Sequence, residues 1–361
     1  MLKFTHIMVQ PSIVFAMTFM VTVFFIVWFS RVSVRLGLVD RPGGRKKHQN
    51  LVPLVGGIAI FGGTSLVLIP TLLMSTIYVA YWLASFLLTF ICMLDDKKPL
   101  SSNVRFFIQF ISLGIIIMLG KTEIVDLGDL LGVGSILLGF CSIPFTCFAM
   151  IGIINAVNMM DGLDGLTGGV SGIEFLVLFF LAIHIEATQE VLIIAAFIGA
   201  ILGFLLFNFP TSFSTKRKVF LGDAGSMLIG LTLAWLCVRL TQINNGYPAA
   251  LMLWVMALPL MDTVHLIINR KARGVSAFKA DRRHIHHILL QLHYTSRQSA
   301  LILIFTSLSL GASGVFLYLH GASDLGLFSG LIVLFLLYSM LSYLLKKQVV
   351  VARKSRLGDS C

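Results

Sequence analysis

Three groups of carboxylates stand where apolar runs of this chain begin or end. Asp95-Asp96 closes one run, Asn155-Ala-Val-Asn158-Met-Met-Asp161-Gly-Leu-Asp164-Gly165 closes another, and Gly222-Asp223-Ala-Gly-Ser226 opens a third. The chain has only 16 Asp and Glu in 361 residues. An unpaired carboxylate beside hydrocarbon is heavily penalised, so acids gathered there need a partner. A divalent cation is the simplest partner, and the chemistry that most needs one is phosphoryl transfer.

The spacing inside each group sharpens this. Asn155, Asn158, Asp161 and Asp164 recur at every third position, so at least the first three share one stripe of a helix. Amide and carboxylate oxygens on such a stripe, followed by Gly162 and Gly165, suit Mg²⁺ or a nucleotide. The plain alternative is a polar seam between helices. Asp95 and Asp96 cannot share a helix face but can splay around a metal at a helix end; the alternative is a solvated cap next to Lys97 and Lys98. Small residues around Asp223 allow a phosphate or metal to approach a helix start, where an Asp is also an ordinary N-cap.

Two basic groups complement the acids. In Arg282-Arg283-His284-Ile-His286-His287, His284 and His287 are helical neighbours and His286 lies off their face. The adjacent arginines favour an anion over zinc, because a guanidinium grips phosphate oxygens in pairs; the alternative is an anchor on acidic lipid. Asp40-Arg-Pro-Gly-Gly-Arg-Lys-Lys47-His48 is first a topology signal, with room for an anionic substrate beside Lys47 and His48.

The elements that must position these residues are membrane helices. The chain is 57% hydrophobic and 12% charged, with mean hydropathy +0.95, about half the charge of a soluble protein. Eleven apolar runs (11–30, 51–69, 76–94, 104–120, 134–157, 167–185, 190–209, 220–240, 248–268, 299–319, 326–345) have the length of spanning helices, not of barrel strands. The expected fold is all-α: a single multi-span membrane domain over 1–361. The first run is long for a signal-peptide core and lacks an A-x-A site, so it is expected to remain as an anchor. The five cysteines (Cys92, Cys141, Cys147, Cys237, Cys361) form no CxxC pair and read as packing residues.

Charge sets the orientation. With 31–50 in the cytoplasm, all Lys and Arg except Lys3, Lys121 and Arg239 fall on or beside cytoplasmic segments. The N-terminus is then outside and the C-terminus cytoplasmic. The loops 31–50, 95–103, 158–166, 210–219 and 270–298 form one cytoplasmic face, which also receives Asp95, Asp96, Asp161, Asp164, Asp223, Asp262 and Asp281. The net charge of +11 reflects this inner-face bias and implies no nucleic acid.

At this point the motifs resemble a known family. Asp95-Asp96, the Asn155–Leu166 stretch, Gly222-Asp223-Ala-Gly-Ser226, His284-Ile-His286-His287, and Val39–His48 followed by Pro53-Leu-Val-Gly-Gly57 are similar, in family order, to the polyprenyl-phosphate N-acetylhexosamine-1-phosphate transferases. Details around Asp281–His287 and Thr295-Ser-Arg-Gln298 lie nearest the bacterial branch using undecaprenyl phosphate and UDP-N-acetylglucosamine. Ile285 interrupts the three-histidine run of the peptidoglycan-precursor branch; the teichoic-acid-linkage branch shares the chemistry.

The resemblance implies a glycosyltransferase of the bacterial inner (cytoplasmic) membrane that releases UMP and uses Mg²⁺ or Mn²⁺. It implies Asp223 and Asn158 on the metal, Asp164 facing uracil with Phe220 stacked on it, and Asp161 near the ribose and phosphates. Asp95 and Asp96 are implied beside the attacking lipid phosphate, and together with Asp161 they are the expected catalytic residues. Arg283, His284, His286 and His287 are implied as contacts of the sugar and pyrophosphate; Asn155, Lys47 and His48, read from their stripe and loop positions above, are the other expected substrate contacts. A homo-oligomer is compatible with it. The competing class is an ion-coupled secondary transporter, since intramembrane acids and glycine-broken helices also mark carriers.

Overall fold

Inside a bilayer every backbone N–H and C=O must be paired within the protein, which apolar runs of this length achieve as helices. The computed structural model, which describes residues 2–40, 51–73, 75–243, 246–275 and 283–358, is built this way. The order is α1 (Leu2–Leu36), a short antiparallel pair β1 (Val39–Asp40) and β2 (Val52–Pro53), α2 (Gly56–Leu72), α3 (Thr76–Lys97) and α4 (Ser102–Met118). Then come α5 (Ser142–Met160), α6 (Leu166–His184), α7 (Thr188–Asn208), α8 (Ser212–Lys216) and α9 (Gly222–Gln242). The chain finishes with α10 (Ala249–Val255), α11 (Ala257–Lys271), α12 (Ile285–Gln291), α13 (Ser296–Leu319) and α14 (Asp324–Gly358).

Among the described residues, eight helices are long and apolar enough to cross a membrane, or nine with α10 and α11 taken as one bent span. The remaining two apolar runs are helical but shorter, Gly56–Pro70 and Ser102–Met118. The expectation of eleven spans thus stands at eight or nine full-length crossings plus two short helices. The 85° bend between α10 and α11 follows from Pro259, which has no N–H and whose ring excludes the carbonyl four residues earlier, on Val255.

The bundle is organised around α9, whose span is 89% buried and which packs on α2, α3, α5 and α6. Trp235 of α9 stacks on Tyr81 of α3, with ring centroids 4.4 Å apart. Toward the far end of these helices, Glu190 of α7 takes a 2.9 Å ion pair from Arg239 and a 3.1 Å hydrogen bond from the Tyr78 hydroxyl. The central helix is therefore fixed at depth, and its N-terminal turn meets the end of α3 and the α5–α6 turn at the opposite end.

Candidate active site

The site is assembled around the first turn of α9. A helix start leaves backbone N–H groups without partners, and Leu221 at the cap position supplies no side-chain bond. Asp96, in the last turn of α3, takes that role from another helix. Its Oδ1 accepts the N–H of Asp223 at 2.8 Å and its Oδ2 that of Ala224 at 3.2 Å. This close approach requires Gly222, at φ +74°, where an added Cβ would sit 2.5 Å from the Asp96 carboxylate.

With its backbone so fixed, the Asp223 side chain meets two partners. Oδ2 pairs with Arg105 Nη1 at 2.7 Å, and Oδ1 accepts from the Asn158 amide at 3.1 Å. The same Asn158 nitrogen donates to Ser226 Oγ at 2.8 Å, and among the described residues the amide oxygen takes no hydrogen bond. Arg105 Nε pairs with Asp95 at 2.7 Å, and Asp95 also accepts the Leu100 N–H.

A second corner is built on the turn joining α5 to α6. Asn208, ending α7, accepts the Gly165 N–H at 2.7 Å and donates to the Val219 carbonyl at 2.8 Å, which ties the turn to the strand-like segment before α9. That segment is held by the backbone: Phe220 N–H donates to Pro53 and Gly56 N–H to Phe220, at 2.9 and 3.0 Å. Asp164 then pairs with Lys218 at 2.6 Å, and the Lys218 ammonium lies 4.8 Å from the centre of the Phe220 ring.

The two corners share a cleft of about 600 Å³. Among the described residues, Asp40, Asp95, Asp96, Asp161, Asp164 and Asp223 line it, against Arg105 and Lys218 alone. Six carboxylates facing two cations leave a strong negative field. Asp161 opens onto the cleft but is closely flanked by protein. Loss of water pushes its carboxyl up to about 7; the Thr167 hydroxyl opposes this and the charges of Asp223 and Asp164 add to it. An oxygen-only donor set with a free amide oxygen beside a carboxylate suits a hard divalent cation such as Mg²⁺ or Mn²⁺.

A family model described as glycosyl transferase family 4 matches residues 78–241, which carry both corners. The chain is 36% identical over 305 residues to an undecaprenyl-phosphate alpha-N-acetylglucosaminyl 1-phosphate transferase of Haemophilus influenzae, covering 84% of this chain and 86% of that one. It is 35% identical over 346 residues to the protein of that name from Escherichia coli (strain K12), and 33% over 344 residues to that of Salmonella typhimurium. Each alignment covers 93% of this chain and 91% of the relative. The chain belongs to glycosyl transferase family 4.

In this family 4 member the structure brings Asp95, Asp96, Asp161, Asp164, Phe220 and Asp223 to one cleft, as expected, with Asn158 bound to Asp223. Four placements differ from the sequence reading. Asp95 and Asp96 do splay, and each has a protein partner of its own: Asp95 faces Arg105, and Asp96 faces the backbone at the start of α9. Asp223 is not its own helix cap, because Asp96 fills that place. Asn155 lies on the stripe with Asn158 but bonds Gln109 at 2.9 Å and does not line the cleft. The histidines do not line it either: His284 and His286 are buried, and a Cβ on Gly162 would collide with the His286 ring.

His286 was also expected off the face shared by His284 and His287. Instead its ring lies 5.4 Å from His284 and 4.3 Å from His287. Helical spacing does not apply because His284 precedes α12, with extended ψ of 149°. Arg283 is described and lies outside the cleft lining; Lys47, His48, Asp281 and Arg282 lie outside the described residues. Arg105, Lys218 and Asn208 were missed as site residues. The first two entered the sequence reading only as topology charges, and only their contacts with aspartates of distant helices reveal them.

Proposed function

We propose that this protein transfers N-acetylglucosamine-1-phosphate from UDP-N-acetylglucosamine to undecaprenyl phosphate, releases UMP, and so starts synthesis of a lipid-linked polysaccharide of the O-antigen or enterobacterial-common-antigen type. The observation that carries the reading is an acidic cleft at the ends of membrane helices, with an aromatic, a carboxylate and an ammonium in one corner. Such a cleft admits a water-borne nucleotide and a membrane-borne phosphate together. The Phe220 ring offers a face for a base, Asp164 an acceptor for an imide N–H, and Lys218 a charge for a phosphate.

Among the described residues the acids of the cleft outnumber its cations, so the phosphates of two substrates call for a bound cation. Asp223 and the Asn158 amide oxygen would hold Mg²⁺, or Mn²⁺ in its place, with Asp161 nearby. When bound, the ion supplies charge neutralisation for the phosphates. Arg105 brings a second positive charge to the same carboxylate. The acceptor is a phosphate monoester with second pKa of about 6, mostly dianionic at neutral pH, so direct in-line attack needs no strong base. Asp161, near neutrality itself, is matched to receive the proton that the remaining monoanion carries. The excess of Lys and Arg at the cleft end supports a cytoplasmic site in a bacterial inner membrane.

The test is purified protein with undecaprenyl phosphate, UDP-N-acetylglucosamine and Mg²⁺, identifying the nucleotide released. UMP is expected, and a chelator should stop its release. UDP would overturn phosphosugar transfer. Exchange of labelled UMP into the donor without lipid acceptor would overturn the one-step route in favour of an aspartyl-phosphate.

A further inference from the structure

Asp262 lies in none of the motifs above, yet it is one of the most fully engaged groups in the molecule. It sits on α11 just past the bend and is 4% exposed. Its Oδ2 accepts from His284 Nδ1 at 2.7 Å. Its Oδ1 accepts the Ile285 N–H at 3.1 Å and the Tyr338 hydroxyl at 2.7 Å. The Ile285 N–H opens α12, and His284 gives that helix no side-chain cap, so Asp262 caps it from outside. Tyr338 comes from α14, a helix whose spanning window is only 11% buried. One turn along, Ser339 and Lys346 of α14 reach His265 of α11 at 3.1 and 3.2 Å, beside Asn269.

The chain of contacts continues toward the cleft. His286 follows in the first turn of α12, 1% exposed, with its ring nearly parallel to that of His284. Among the described residues, neither of its ring nitrogens has a hydrogen-bond partner. Burial, and then the neighbouring His287 and His284, push its pKa down to about 3, so the ring is uncharged. It packs directly beneath Gly162, where no Cβ would fit. Gly162 lies between Asp161 and Asp164, the two turn carboxylates of the cleft. His286 is thus a neutral block under that turn, and its height is set by where α12 begins.

The geometry points to Asp262 and Tyr338 as positioning residues that, through His284 and His286, hold the Asp161–Asp164 turn at its working depth in the cleft. Neither touches the cleft itself. Asp262, His284 and His286 also offer ligand atoms within 4.8 Å of one another. Asp262 already takes three donors, however, and its bond to His284 occupies the edge that a shared metal would need. The inference rests on the transferase reading above, which sets the base of the nucleotide sugar against Asp164 of that turn.

The experiment uses full-length protein in lipid vesicles, with wild type, Asp262→Asn, Tyr338→Phe and, as control, Tyr343→Phe, which alters a lipid-exposed tyrosine of the same helix. Wild type must first release UMP; if it does not, the transferase reading fails and the variants are not reached. Given that release, Asp262→Asn should lower kcat/KM for UDP-N-acetylglucosamine about a hundredfold and Tyr338→Phe about tenfold, the scale of a small misplacement. The loss should fall on donor KM and kcat, with KM for undecaprenyl phosphate and the thermal midpoint of Tyr338→Phe near wild type. Tyr343→Phe should match wild type. If both variants lose folded protein while the surviving fraction keeps wild-type constants, the two residues are merely structural and the inference is overturned. Stoichiometric zinc in purified wild type, lost in Asp262→Asn, would also overturn the inference and make the cluster a metal centre.

Discussion

Arg105 joins two aspartates that lie 128 residues apart in sequence: its Nε pairs with Asp95 and its Nη1 with Asp223, both at 2.7 Å. The end of α3, the start of α4 and the start of α9 are thereby locked at one point. A guanidinium can do this because its donors form a rigid fork, whereas an ammonium is a single point on a flexible stem. Arg105→Lys should therefore keep the charge and lose the geometry. We expect kcat for UMP release to fall about a hundredfold, with the fold intact by circular dichroism. Wild-type kcat in Arg105→Lys would show that charge alone suffices there.

Asp96 acts on the backbone of α9 with both oxygens, at Asp223 and Ala224. Asp96→Asn keeps one acceptor and turns an NH₂ toward the other N–H. The expected loss of stability is about 1–2 kcal/mol, the scale of a lost helix cap, seen as a lower thermal midpoint. Activity should fall as well, because the Asp223 backbone is then no longer fixed. An unchanged midpoint would mean that the α9 N-terminus is held by other groups.

Phe220 faces the cleft beneath the Lys218 ammonium. If the ring carries the base of the donor, Phe220→Ala should raise KM for UDP-N-acetylglucosamine about tenfold, in keeping with about 1–3 kcal/mol of stacking. The KM for undecaprenyl phosphate should stay put. Equal effects on both substrates would move the base elsewhere.

Asp161 provides the pH dependence. Its folded-state value of about 7 lies above the unfolded 3.8, so between these values the folded protein keeps a proton that the unfolded chain releases. Metal-free stability should therefore fall as pH rises through that window. A cation held beside Asp161 favours its ionised form, so the Mg²⁺ concentration for half-activation should rise as pH drops below about 7. Activity titrations at about pH 6 and about pH 8 check this, and a midpoint that does not move would place Asp161 outside the metal's reach.

Much of this was legible in the residues. The apolar runs announce helices because the bilayer allows little else, and Gly222-Asp223 announces a close approach at a helix start because a side chain at 222 would collide with Asp96. What stayed hidden was which neighbour each group had chosen. Asn155 and Asn158 look alike in sequence, yet one meets Gln109 and the other Asp223, a choice made by which helices lie opposite. Arg105 and Lys218 could not be told from ordinary topology charges until their partners were seen. The histidines misled because His284 lies just outside its helix, where the three-residue rule lapses. Asp262 reads in sequence only as one more acid of the cytoplasmic face, since its three donors arrive from the α12 end and α14, far along the chain.

The cleft lies at the ends of the helices, and that placement changes what concentration means for this reaction. The nucleotide sugar arrives from a volume, but the lipid phosphate arrives along a surface. On the proposed activity, turnover follows the mole fraction of undecaprenyl phosphate among the surrounding amphiphiles and not its amount per litre. Adding inert lipid at constant total acceptor should slow the protein by surface dilution, while adding water at constant surface composition and constant nucleotide-sugar concentration should leave its turnover unchanged.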